Sequence, residues 1–108
     1  MSYTLSDLMQ LVIAEGASAL HLHDGKSPVL ELRDCLCRIE GPPLEAGDTL
    51  EMFSTIASPE ELEEVRRNID TLLFYRHSEA VVFRVMAFHE TAGLRLELRR
   101  LTKYEDAA

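Results

Sequence analysis

Residues 80–88, Ala-Val-Val-Phe-Arg-Val-Met-Ala-Phe, form the longest apolar run in the chain. They are dense in β-branched and aromatic residues, the composition of a buried strand. Alternation places Val81, Phe83, Val85 and Ala87 on one face and Ala80, Val82, Arg84, Met86 and Phe88 on the other. Both faces are largely apolar, so the run reads as a central strand. After a loop at Glu90-Thr91-Ala92-Gly93, Leu94, Leu96 and Leu98 alternate with Arg95, Glu97 and Arg99, which completes a hairpin. With the leucines on the core face beside Val81, Phe83 and Val85, the register sets Arg84 near Arg99 and Phe88 near Arg95 on the opposite face. Just upstream, Leu72, Phe74 and Arg76 alternate with Leu73, Tyr75 and His77 as a further strand.

The first half of the chain changes period twice. Leu5, Leu8, Met9, Val12 and Ile13 follow a helical stripe, with Thr4 and Asp7 as a capping box and Gly16 as the stop. Residues 17–23 predict a short strand with Leu20 and Leu22 on one face, followed by a turn at Asp24-Gly25 and by Pro28. Residues 29–32 and 36–39 predict two more strands around a tight connection at Arg33-Asp34, and Gly41-Pro42-Pro43 ends the sheet pattern. Asp48 with Glu51 is expected to cap a helix carrying Leu50, Phe53, Ile56 and Ala57. Ser58-Pro59-Glu60-Glu61 is expected to cap another carrying Leu62, Val65 and Ile69. The order helix, three strands, two helices, three strands predicts an α+β domain over residues 1–108, an antiparallel sheet of about six strands covered by about three helices.

Composition narrows the functional classes. At 108 residues, 46% hydrophobic and 28% charged, the chain has ordinary globular usage, with neither a disordered tract nor a membrane span. Its 19 acidic residues outnumber 11 basic ones, for a net charge of −8, which disfavours non-specific binding to nucleic acid or to anionic lipid. Any recognition of anions must be local. No basic region precedes the first apolar residues, so a cytoplasmic location is expected, and Cys35 and Cys37, two apart on one strand, are expected to be reduced thiols.

Arg84 is the residue that demands a partner, because an unpaired guanidinium amid apolar neighbours costs several kcal/mol. Glu97 can neutralise both Arg84 and Arg99 on a solvated face, or an anion or another protein can meet them. Gly25-Lys26-Ser27 mimics the end of a phosphate-binding loop, but Leu20 stands where that loop has glycine, and Pro28 follows where a helix must begin. His21 and His23, with Cys35 and Cys37, have the side chains for a zinc site if their strands are adjacent. His77 and His89 read as exposed loop or strand-end residues, and no nucleophile has a recognisable base. The chain is therefore expected to be neither an enzyme nor the holder of a cofactor.

The run Ala17-Ser18-Ala19-Leu20-His21-Leu22, then Gly25, Pro28, Pro43-Leu44, Asp48 and Asp70, then Phe83-Arg84-Val85-Met86-Ala87-Phe88, Gly93 and Arg99, resembles the N-terminal domain of the PilT-type twitching motility ATPases. These belong to the type II and type IV secretion ATPases, and the resemblance covers residues 5–101 without an ATPase core. It implies a PAS-like fold and, as partner, a pilus or secretion ATPase core or a second copy of the chain. It also implies that Arg84 and Arg99 stand at positions from which arginines approach a neighbouring subunit's nucleotide phosphates. The chain departs from the pattern at Ala19, where the family carries an acid, at Glu31, where it carries arginine, at Arg33-Asp34, where it carries an Asp-Gly turn, and at Met86, where it carries asparagine. The partner- or phosphate-facing candidates are thus Arg84, Arg99, Arg95 and Phe88. Three functions follow: a non-catalytic docking domain of such a machine, a PAS-like sensor of a small ligand or anion held between sheet and helices, and a metalloprotein using His21, His23, Cys35 and Cys37.

Overall fold

The computed structural model describes residues 3–91 and 93–101. Helix α1 (Leu5–Ala14) begins where the Thr4 hydroxyl accepts the Asp7 amide, and its stripe of Leu5, Leu8, Met9 and Val12 is buried. Three strands follow, β1 (Ala19–His23), β2 (Val29–Glu31) and β3 (Leu36–Arg38). Helices α2 (Asp48–Ser54) and α3 (Pro59–Arg66) then lead into β4 (Thr71–Ser78), β5 (Val81–Glu90) and β6 (Gly93–Leu101). The predicted loop at 90–93 is tighter than expected, since Glu90 and Gly93 already pair, and its Ala92 lies outside the described residues. The expected single domain over residues 1–108 likewise takes in residues that are not described.

The six strands make one antiparallel sheet in the order β3-β2-β1-β6-β5-β4. The apolar run 80–88 is therefore not central. It lies one strand in from an edge, and β1 and β6 hold the middle. On its second face Val82, Arg84, Met86 and Phe88 are only half-buried, and no described helix lies over them. On the inner face, Leu20, Leu22, Phe83, Val85, Ala87, Leu96 and Leu98 are all fully buried against α1, Met52 and Phe53 of α2, and Val65 of α3. The alternation in β6 is as expected, with Leu94, Leu96 and Leu98 inward and Arg95, Glu97 and Arg99 half-exposed outward.

The two later helices start differently from each other. Ser58 and Glu61 form the expected reciprocal capping box, with Pro59 in the first turn of α3. Asp48 does not cap α2: the cap position is Gly47, in the left-handed region at φ 91° and without a side chain. The carboxylate comes instead from Asp24, in the turn after β1, which accepts from the amides of Gly47 (2.9 Å) and Thr49 (3.0 Å) and from the Thr49 hydroxyl (3.0 Å). Asp48 turns back to accept the Glu45 amide at 2.7 Å. The buried stripe of α2 is accordingly Thr49, Met52 and Phe53, while Leu50 faces out.

Candidate functional site

No described helix covers the outer face of the sheet, and its side chains fall in rows across the strands. One row runs Leu36, Glu31, Ala19, Arg99, Arg84 and Phe74 from β3 to β4. The next runs Arg38, Val29, His21, Glu97, Met86 and Leu72. Arg84 thus pairs with Arg99, and Phe88 with Arg95, as the leucine register requires.

The two arginines have different fates. Arg99 meets Glu31 through a fork, Nη1 to Oε2 and Nη2 to Oε1, both at 3.2 Å. It also donates to Glu97 Oε2 from Nε (3.2 Å) and Nη2 (3.0 Å). Four of its donor contacts end on two carboxylates, the bidentate geometry a guanidinium favours. The Glu31 carboxyl is held down at about 2 by Arg99 and then by His21, whose Nε2 lies 3.1 Å away. The same contacts with Glu31 raise Arg99 further above its usual value. Arg84 reaches Glu97 only at 3.9 Å, and among the described residues its buried Nε has no hydrogen-bond partner. Glu97 therefore stands between both arginines as expected, while Glu31, the stronger partner of Arg99, was not foreseen.

This pairing sets an acid limit on stability. Because the folded Glu31 carboxyl sits near 2, below its ordinary 4.5, its contribution is complete above about pH 4.5 and is lost as pH falls toward 2. With the side chain 30% exposed, solvent screening reduces this to about 1–2 kcal/mol. Urea denaturation at pH 6 and pH 3 is expected to show the parent losing more than half of this increment and Glu31→Gln lacking it at pH 6. Equal acid sensitivity in the two proteins would remove Glu31 from the acid-labile set.

Below this cluster, the Arg95 guanidinium carbon lies 4.2 Å from the centroid of the Phe88 ring, a cation–π contact. Arg95 Nε donates to Glu90 at 2.8 Å, which holds the Glu90 carboxyl below the usual range, and the other Glu90 oxygen lies 3.1 Å from His23 Nε2. Arg95, Glu90 and His23 border a hollow of about 350 Å³ with His21, Lys26 and Ser27, and a neighbouring hollow of about 460 Å³ shares Lys26 and Ser27 and adds Arg38. Apolar surface flanks the charges on the other side, where Phe74 is 60% and Leu72 48% exposed.

The remaining candidates separate. β2 lies between the strands that carry His21 and His23 and the one that carries Cys37, so the four possible zinc ligands do not converge. Cys35 and Cys37 are exposed free thiols. Gly25-Lys26-Ser27 leads through Pro28 into a strand, not a helix. His89 is a tether rather than an exposed strand end: its Nε2 is 2.7 Å from the Val65 carbonyl at the end of α3, and its Nδ1 is 3.3 Å from Asp70. The half-buried His77 packs edge-on to the Phe83 ring. No described helix is long and apolar enough to cross a membrane.

No protein-family model matches the chain, and no curated protein matches it. Solved structures do. The crystal structure of the pilus retraction motor PilT with bound ADP superposes with a TM-score of 0.83 at 19% identity, over 94% of this chain and 30% of that one. The ATPase DotB of Legionella pneumophila gives 0.77 at 16% identity, over 92% and 29%. DotB of Yersinia pseudotuberculosis gives 0.69 at 15% identity, over 89% and 29%. The chain spans about 30% of the length of these ATPases, and its fold is that of their N-terminal domain, an antiparallel six-stranded sheet with three helices.

Proposed function

We propose that this chain is a non-catalytic interaction domain that docks on an ATPase core of the pilus-retraction and secretion class through the outer face of its sheet, around Arg84. The observation that carries this reading is the state of Arg84. Its side chain is 40% exposed, and among the described residues its nearest carboxylate is 3.9 Å away and its buried Nε lacks a partner, on a face bordered by exposed Leu72 and Phe74. A guanidinium left short of acceptors beside apolar surface suits a carboxylate or phosphate supplied by another protein. Arg95 on Phe88 extends the same face, whereas Arg99 is closed internally and contributes by holding Glu31 and Glu97 in place.

The hollow lined by His21, His23, Lys26 and Arg95, together with the Glu90 carboxylate, favours a second reading, a sensor of a small anion, on the outer face rather than between sheet and helices. Saturable binding of inorganic phosphate, abolished by Lys26→Ala and untouched by Arg84→Ala, would support it instead.

Arg84→Ala is expected to change folding stability by less than about 0.5 kcal/mol, because Glu97 keeps Arg99, while weakening association with a purified ATPase core by about tenfold or more. Arg84→Lys should restore little, since a point charge does not reproduce the planar fork. Arg99→Ala should behave differently and cost stability by leaving two carboxylates unpaired. Denaturation and titration calorimetry on the same proteins decide: a stable Arg84→Ala that binds as the parent does would move the interface to the helical face.

A further inference from the structure

We propose that two copies of this chain pair edge to edge through β4, antiparallel, in the register that sets Leu73 against Leu73 of the second copy, joining two sheets into one. β4 ends the sheet, and among the described residues no element lies beyond it. An open edge presents unpaired amides and carbonyls, and proteins guard such edges with proline, inward charge, bulges or brevity. The opposite edge is guarded by brevity, since β3 has three residues. β4 has eight and no proline. Its one register shift falls between Arg76 and Ser78, which leaves the ladder over residues 71–76 unbroken. Two of the most exposed apolar side chains of the described chain, Leu72 and Phe74, stand on this strand, and Ile69, 46% exposed, immediately precedes it.

The segment Asp70-Thr71-Leu72-Leu73-Phe74-Tyr75-Arg76 is complementary to its own reverse. Antiparallel pairing must keep outer-face residues opposite outer-face residues, so only registers two residues apart compete. Centred on Leu73, each Leu72 meets a Phe74, and each Asp70 meets an Arg76. The aliphatic–aromatic pairs lie in the middle, with an opposite-charge pair at either end. Asp70 has an oxygen to give, because its contacts to the His89 amide and ring both use Oδ1. Among the described residues Arg76 gives only Nη1, to the Glu79 carbonyl. Centring on Phe74 instead would set Arg76 against Leu72 and Asp70 against Ser78, losing both charge pairs and running into the irregular end of the strand. The favoured register ends before it. The two-fold axis then stands perpendicular to the sheet, so both Arg84 faces look the same way and neither is covered.

The test uses the chain alone, without an ATPase, so its outcome is independent of the docking reading. Sedimentation equilibrium is expected to show a monomer–dimer equilibrium at micromolar to hundreds of micromolar concentrations, as befits a small interface. Phe74→Lys should raise the dissociation constant by about tenfold or more. Arg76→Glu, an exposed change that leaves the monomer folded, should do the same by setting acid against Asp70. On a Cys35→Ser/Cys37→Ser background, an equal mixture of Leu72→Cys and Phe74→Cys chains should crosslink as mixed pairs on mild oxidation. A monomer throughout this range, a dimer indifferent to both Phe74→Lys and Arg76→Glu, or crosslinking of Phe74→Cys chains to one another in place of mixed pairs, would overturn the proposal.

Discussion

Phe83→Ala is expected to lower the stability of this domain by about 3–5 kcal/mol, as large a loss as any single core truncation should produce here. The ring is fully buried on the inner face of β5, opposite Tyr75 of β4 and Arg100 of β6, with the His77 ring meeting it edge-on at 6.1 Å between centroids. Its removal forfeits the transfer free energy of a large apolar side chain. It also leaves a void bounded by strands that are hydrogen-bonded on both sides and cannot close in. The sheet resists collapse, so the cavity contribution should be nearly complete. Phe83→Leu fills most of the volume and should cost less than half as much. Urea denaturation measures both, and a loss below about 1 kcal/mol for the alanine variant would contradict the burial of this face.

Asp24→Ala is expected to cost about 2–3 kcal/mol, an unusual penalty for a residue in a turn. Its carboxylate accepts the amides of Gly47 and Thr49 and the Thr49 hydroxyl, and Thr49 is fully buried. Truncation strands those donors at the positive end of α2, where Gly47 has no side chain to substitute. The Thr49 hydroxyl retains one alternative, the Leu94 carbonyl at 3.2 Å, but among the described residues the two amides have none. Asp24→Asn keeps one acceptor oxygen and should recover part of the loss. A change under about 0.5 kcal/mol for Asp24→Ala would mean that water replaces the carboxylate at no cost. Because Asp24 follows β1 while Thr49 reaches the β6 backbone, the loss should appear as global unfolding rather than local fraying.

The periodicities that sequence carries are local, and what they encode was legible. Alternation in 94–99 fixed which side of β6 faces the core, and with it the Arg84–Arg99 and Phe88–Arg95 pairs. Thr4 and Ser58 marked helix starts because their partners lie three residues away. Contacts that depend on strand order were hidden. Glu31 reaches Arg99 across 68 residues, and only the β2-β1-β6 neighbourhood brings them within 3.2 Å. Asp24 acting as the remote cap of α2 failed for the same reason: a carboxylate beside a helix start in sequence, Asp48, looked sufficient. The apolar second face of the 80–88 run has the composition of a buried face, yet it is half-buried surface beside Arg84. Even so, alternation over 29–31 already put Glu31 on the outer face with Val29, and that was the signal for the missing carboxylate.

The sheet order has one more consequence, for the time course of synthesis. β6 comes after every other described element, yet it lies between β1 and β5. Its partner Ala19 in β1 is about 80 residues upstream, a closure that local hairpins do not share. Until the ribosome has released residues 93–101, Leu20, Leu22 and the inner face of β5 have no strand to complete them. At roughly 5–20 residues per second, the nascent chain carries that unfinished core for several seconds. Folding of this domain is thus withheld until its innermost strand arrives, and a ribosome stalled before Gly93 would display an open apolar sheet rather than a partly working domain.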